Sequence, residues 1–182
     1  MPAFQNIIDL RMAVADHVGN RAISDVFQML VELAESDLNS RLRTRYQIVE
    51  STLYFDDGIS AFPPDYMELV SVTDTRGRPL HPSYQVDGFN FTLPGYSGDI
   101  NVRYYGRLPS LTSSPTASNW LLKRYPAVYL YGVGLQAAKH LKDVELAQAT
   151  DQLYGYALGA LTNDDYRARW ANQRVRVQGA TP

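Results

Sequence analysis

Asn119-Trp120-Leu121-Leu122-Lys123-Arg124-Tyr125-Pro126, continued through Ala127 to Asp143, is the most apolar part of the chain and decides how the rest is read. No residue from Ala127 to Leu135 is charged, so a helix over this stretch has no solvent face and belongs inside the protein. Pro126 suits the first helical position, where its missing N–H removes nothing and its fixed φ already matches the helix. It also biases Tyr125 out of the helical region, which separates this helix from a short turn at Asn119 to Lys123. The run is shorter than the roughly 20 residues a bilayer span needs, which favours a buried core helix. Gly132 and Gly134 each cost about 1 kcal/mol relative to alanine within a helix, a penalty tolerated where another backbone packs close. Two helices are expected to meet there.

A second helix follows almost without a gap. Leu146, Ala149, Leu153, Ala157 and Leu161 recur at three- and four-residue spacing and predict its buried stripe, with Glu145, Gln148, Asp151 and Gln152 mostly off it. Only Lys142 and Asp143 separate the two helices, which predicts an antiparallel αα-hairpin with Asp143 as N-cap of the second. Tyr125, Tyr129, Tyr131, Tyr154 and Tyr156 suit the edges of such a pair, with rings buried and hydroxyls reaching a partner or water. The other place for such tyrosines is a subunit interface.

Moving toward the N-terminus, Phe4, Ile7, Ile8, Val14 and Val18 predict a first helix stopped at Gly19-Asn20. Ser24 is the expected N-cap of a second, whose apolar stripe is Val26, Phe27, Leu30, Leu33, Ala34, Leu38 and Leu42. Its opposite, polar face carries Glu32, Glu35, Asp37 and Asn39. The cations Arg41, Arg43 and Arg45 then complement the negative end of the helix dipole. From Tyr46 the period changes to two. Residues 46–55 predict a strand, and Asp56-Asp57-Gly58 a hairpin turn into Ile59 to Phe62. Glu68 to Thr73, Gln85-Val86, Phe89 to Leu93 and Asp99 to Tyr105 read as further strands, punctuated by Arg76-Gly77-Arg78, Asp87-Gly88, Pro94-Gly95 and Ser97-Gly98. A Ser/Thr/Pro-rich segment, Pro109 to Ser118, leads into the hairpin. The predicted class is α+β: a helical bundle built on a C-terminal αα-hairpin, with an inserted small antiparallel β region. The predicted layout is one domain over residues 1–182: N-terminal helices in 1–45, the β insertion in 46–108, the hairpin in 109–170 and an extended tail in 171–182.

The 182 residues suffice for a proper core. The absence of cysteine excludes a disulfide framework and thiolate metal sites. No basic segment followed by an apolar stretch opens the chain, so a soluble, unexported protein is expected. With 17 Lys+Arg against 19 Asp+Glu, the formal charge of -2 gives no global attraction to nucleic acid or to an anionic membrane.

Catalytic patterns are weak. His17, His81 and His140 are isolated, with no ligand at zinc spacing. Gly95-Tyr96-Ser97-Gly98 lacks the spacing of a nucleophile elbow and falls between strands. Gly132-Val133-Gly134-Leu135-Gln136-Ala137 matches G-x-G-x-x-A, with Asp151 near the distance of a ribose-binding carboxylate. That fingerprint requires a strand before it, whereas here Pro126 opens a helix. Asp56-Asp57 and Asp164-Asp165 fit turns or caps better than acid–base work. No catalytic, cofactor-binding or metal-ligating residue is expected, and no cofactor.

A set of short landmarks carries a resemblance. These are Phe62-Pro63-Pro64-Asp65-Tyr66 with Leu69, Gly77-Arg78-Pro79-Leu80, Phe91-Thr92-Leu93-Pro94, and Tyr104-Tyr105 with Leu108-Pro109-Ser110-Leu111. They continue with Asn119-Trp120-Leu121-Leu122, Tyr125-Pro126, Tyr129-Leu130-Tyr131-Gly132 and Leu141-Lys142-Asp143. In order and spacing the chain resembles the head-to-tail adaptor proteins of tailed phages and gene transfer agents, over roughly residues 20–170. It departs from them at Tyr84 to Asn90, which is shorter than the usual insert, and beyond Trp170.

The resemblance implies a non-enzymatic virion protein of the head–tail junction, made in the host cytoplasm. It implies a homo-oligomeric ring, typically of twelve copies, beneath the portal protein and joined to a tail-side neck, stopper or nozzle protein. Genomic DNA would pass through the axis without sequence-specific binding, and no membrane is involved. Within that frame Arg167, Arg169, Arg174, Val175, Arg176 and Val177 are expected to dock on the portal, the last four as a donated strand, because polar and β-branched residues alternate there. Asp56, Asp57, Arg76, Arg78 and Tyr96 are expected at turn tips that contact neighbouring copies or the next ring. The alternative class is a nucleic-acid-binding module using Arg41, Arg43, Arg45 and the arginines from Arg167 onward. An enzyme ranks third.

Overall fold

The computed structural model describes residues 4–80, 85–88 and 90–171. It divides into two compact units, one drawn from the chain before Leu38 and after Pro109, the other formed by Leu38–Pro109.

In the first unit, α1 (Ile7–His17) is capped by Asn6, whose side chain accepts from the amides of Ile8 and Asp9. It ends where Gly19 and Asn20 take φ of 73 and 56, the left-handed conformation that terminates a helix. α2 (Phe27–Arg41) starts later than its pattern predicts. Ser24 lies in a turn ahead of it, closed by the Val26 amide donating to the Ile23 carbonyl at 3.2 Å, and this turn buries both Ile23 and Phe27.

α3 (Trp120–Arg124) is a short helix capped by Asn119, and Tyr125 leaves helical geometry before Pro126. α4 (Pro126–His140) has the proline at its first turn and buries Val128, Tyr129, Gly132, Val133, Gly134, Leu135, Ala137 and Ala138. Lys142 turns the chain at φ 56, and Asp143 caps α5 (Val144–Trp170) by accepting from the Leu146 amide at 3.0 Å. α5 packs against α4.

Side chains, not another backbone, fill the space at the two α4 glycines. A Cβ at Gly132 would lie 3.2 Å from the Tyr154 ring, and one at Gly134 would lie 2.9 Å from the His17 imidazole. The buried face of α5 also differs from the expected one. Thr150, Tyr154, Leu161 and Asp165 are buried, whereas Ala149 and Leu153 are exposed. The inward positions are rotated by about one residue, because Thr150 and Tyr154 reach polar partners that a purely apolar stripe does not anticipate. Asp164 and Asp165 lie inside this helix and not at a turn or cap.

In the second unit a 3-10 turn (Arg45–Gln47) leads into β1 (Ile48–Phe55), followed by β2 (Ile59–Ala61), β3 (Tyr66–Thr73), β4 (Gln85–Asp87), β5 (Asn90–Thr92) and β6 (Gly98–Gly106). Two antiparallel three-stranded sheets result, ordered β1-β6-β3 and β2-β5-β4. β1 and β6 pair from Ile48 opposite Tyr105 to Phe55 opposite Gly98. Alternation then turns Leu53 and Phe55 inward with Ile100, Val102 and Tyr104. Val72, Phe91 and Leu93 complete the core, with Phe55 and Phe91 edge-to-face at 5.2 Å.

This overturns the predicted class. The β part is not a small insertion on a helical bundle: it holds two sheets, buries a hydrophobic core of its own and forms one of the two units. Short strands show their worth only once paired, and here the pairing gives two sheets and not one small region.

Both cores should respond to truncation. Leu135→Ala should cost about 2–5 kcal/mol and Phe55→Ala about 3–5 kcal/mol, the range for emptying a packed site. Denaturant midpoints lowered in both variants are the expected result.

Candidate interaction surfaces

One well-connected polar group is not on any surface. Glu35, assigned by its pattern to the solvent side of α2, is buried, at 6% exposure. It follows Ala34 and stands four residues after Val31 and three before Leu38, so it shares the apolar flank of the helix. Its Oε1 accepts from the Leu111 amide at 2.8 Å and from the Tyr129 hydroxyl at 3.2 Å, and its Oε2 accepts from Ser110 Oγ at 2.7 Å. Asn119 Nδ2 donates to the Tyr129 hydroxyl at 2.7 Å, while its Oδ1 caps α3 through the Leu122 amide at 2.9 Å. Two residues on from Glu35, Asp37 accepts from the Tyr154 hydroxyl at 2.9 Å. Burial pushes the Glu35 carboxyl above its ordinary range, against the three hydrogen bonds that favour the anion. Burial, then the Glu35 charge, raises Tyr129 well above the usual phenol range.

Of the five tyrosines expected at the hairpin edges, Tyr129 and Tyr154 are buried with bonded hydroxyls, Tyr125 donates to Asp164, and Tyr131 packs on His17. Tyr156 is the exception, 77% exposed.

Turn tips of the β unit present some of the residues expected to make contacts. Asp56 and Asp57 are exposed, in a turn whose Asp57 and Gly58 take φ of 46 and 81. Gly58 itself is tied down. Its carbonyl accepts from the Leu93 amide at 2.7 Å, and a Cβ there would lie 2.7 Å from the Leu93 oxygen. Arg76 and Arg78 are exposed on a turn organised by Asp74, whose carboxylate accepts from both their amides and from Arg78 Nε. Those amide bonds, Arg78's first, hold the Asp74 carboxyl below its usual range. Tyr96 serves its own unit: its hydroxyl donates to the Asp99 carbonyl at 3.1 Å and its ring meets Phe55 edge-on.

On α5, Arg167 is exposed and Arg169 bridges to Asp165 at 2.7 Å. Arg174, Val175, Arg176 and Val177 lie outside the described residues, as does His81.

The arginines after α2 are engaged locally. Arg43 pairs with Glu68 at 2.7 Å and donates to the Asn39 and Leu42 carbonyls, which completes the helix end. Arg45 stacks its guanidinium 4.4 Å from the centre of the Tyr46 ring. Among the described residues no three His, Asp or Glu side chains converge as ion ligands, and no helix is long and apolar enough to cross a membrane.

A family model described as SU10 adaptor protein matches residues 5–178. No curated protein matches the chain.

The Glu35 node yields a prediction with a definite sign. A carboxyl raised by folding binds its proton more readily folded than unfolded. Its contribution is therefore full below the ordinary value of 4.5 and declines as pH climbs from there through the raised value. Glu35→Gln should flatten this decline in a series of denaturation curves across that window. Glu35→Ala leaves the Leu111 amide and the Tyr129 hydroxyl short of an acceptor, and should cost about 1–3 kcal/mol at every pH.

Proposed function

We propose, because the chain belongs to the SU10 adaptor protein family, that it forms a ring beneath the portal and joins the DNA-filled head to the tail. Members of this family are structural adaptors of phage particles, so the chain is a virion protein that works by contact with other proteins. The observation that carries the finer reading is the extent of the match, which takes in both compact units instead of one fragment.

In this reading about twelve copies surround an axis through which genomic DNA passes unread. The portal lies on one side and a neck, stopper or nozzle protein on the other. The charge balance suits such passage, since a formal charge of -2 adds little net attraction for a polyanion. Arg43 and Arg45, two of the arginines of the alternative reading, are engaged with Glu68, two backbone carbonyls and the Tyr46 ring. The exposed Asp56, Asp57, Arg76 and Arg78 are the tips we assign to neighbouring copies or the next ring, and Arg167 and Arg169 to the portal.

Mixing the full-length protein with its purified portal should give one stoichiometric ring-shaped complex by size and by imaging, with little retention on free DNA at any salt. A protein that ignores the portal and binds DNA with steep salt dependence would reverse the two readings.

A further inference from the structure

Large apolar side chains are exposed on three helices of the helical unit. Ile8 and Met12 on α1, and Met29 and Leu33 on α2, are pairs four residues apart on one face of their own helix; Tyr156, Tyr166 and Trp170 stand out on α5. On the side of α5 opposite its buried residues, Gln152, Tyr156, Gly159, Asn163, Tyr166 and Trp170 follow at alternating steps of four and three. This is the spacing with which a helix meets another along a seam. The Tyr166 and Trp170 rings lie 6.0 Å apart. Gly159, three residues after Tyr156, opens a hollow in that seam: a Cβ there would meet nothing within 4 Å. A mid-helix glycine costs about 1 kcal/mol, and no side-chain contact among the described residues accounts for it.

We propose that the outer face of α5 on one copy seats against the exposed face of α2 on the next. This rests on the ring of the preceding subsection. A closed ring of more than two copies needs head-to-tail contacts, in which two different patches of the same chain meet. The two faces are complementary in chemistry. The flexible methionine thioether at position 29 suits the faces and edges of tyrosine and tryptophan rings. Charges match as well: Glu32, three residues after Met29, borders the face of Met29 and Leu33, whereas Arg167 borders Tyr166 and Trp170. Gly159 gives the incoming side chain a place to settle.

The native chain has no cysteine, so a paired substitution reports cleanly. Full-length Leu33→Cys/Tyr156→Cys, assembled on its portal and treated with a short bismaleimide linker, should give a denaturing-gel ladder of covalent oligomers climbing to the ring number. Either single variant should give no ladder. Tyr156→Asp and Leu33→Asp, both at exposed positions and folded by circular dichroism, should each fail to form rings. Mixed together they should stop at one-to-one pairs, because each retains one good face.

Wild-type rings with no ladder from the double variant, and rings still formed by Tyr156→Asp, would assign the α5 face to another occupant and overturn the inference while leaving the ring standing. Failure of the wild type to form any ring on the portal would remove the ring reading itself, and this contact with it.

Discussion

A carboxylate taken out of water must be met by donors or it destabilises what surrounds it, and the helical unit is arranged around that requirement at Glu35. Its two oxygens hold the backbone at Leu111, the hydroxyl of Ser110 and, through Tyr129, the most buried helix of the chain. Asn119 extends the same network to the cap of α3, and Asp37 repeats the arrangement for α5 through Tyr154. One short stretch of α2 thus fixes the segment beginning at Ser110 and two further helices by directed bonds, which specify position where apolar contact alone tolerates sliding.

The β unit is stabilised differently. Its core is aromatic and aliphatic, built from alternate positions of paired strands, and its loops are fixed locally. Gly58 is stitched to Leu93, Asp74 gathers the amides of its own turn, and the Tyr104 hydroxyl, its pKa pushed up to about 12 by burial and by Asp65, donates to that carboxylate at 3.0 Å. A unit whose core is internal can present charged turn residues without depending on them for folding. That division suits a protein whose work is contact, because the tips can match a partner while the sheets keep their registers.

Helix existence was legible in the sequence where the signal was local and chemical. Pro126, Asp143 and the Gly19-Asn20 stop act within a few residues of themselves, and α1, α4 and α5 begin or end as those residues require, whereas the Asn6 cap of α1 shows only in the structure. Facing was less legible, because it depends on distant partners. Glu35 and Asp37 read as solvent-exposed acids since nothing nearby announces Ser110, Tyr129 or Tyr154, and Thr150 and Tyr154 displace the apparent stripe of α5 for the same reason. The class is not legible because the independence of the β part rests on Phe91 meeting Phe55 between two sheets, a pairing invisible in any single strand. Candidate contact residues divide likewise. Exposed Asp57 and Arg76 were recognisable as turn chemistry, while Tyr96 is engaged with Phe55 and Asp99. The exposed face of α5 was masked because Tyr156 stands beside the buried Tyr154 in the same pattern.

The central claim is that this chain is a structural joint of the particle, and removing it is the most direct measurement. Particles assembled in its absence should accumulate as heads without tails, and supplying the full-length protein should restore tailed, infectious particles. Tailed and infectious particles produced at normal yield without the chain would contradict the account.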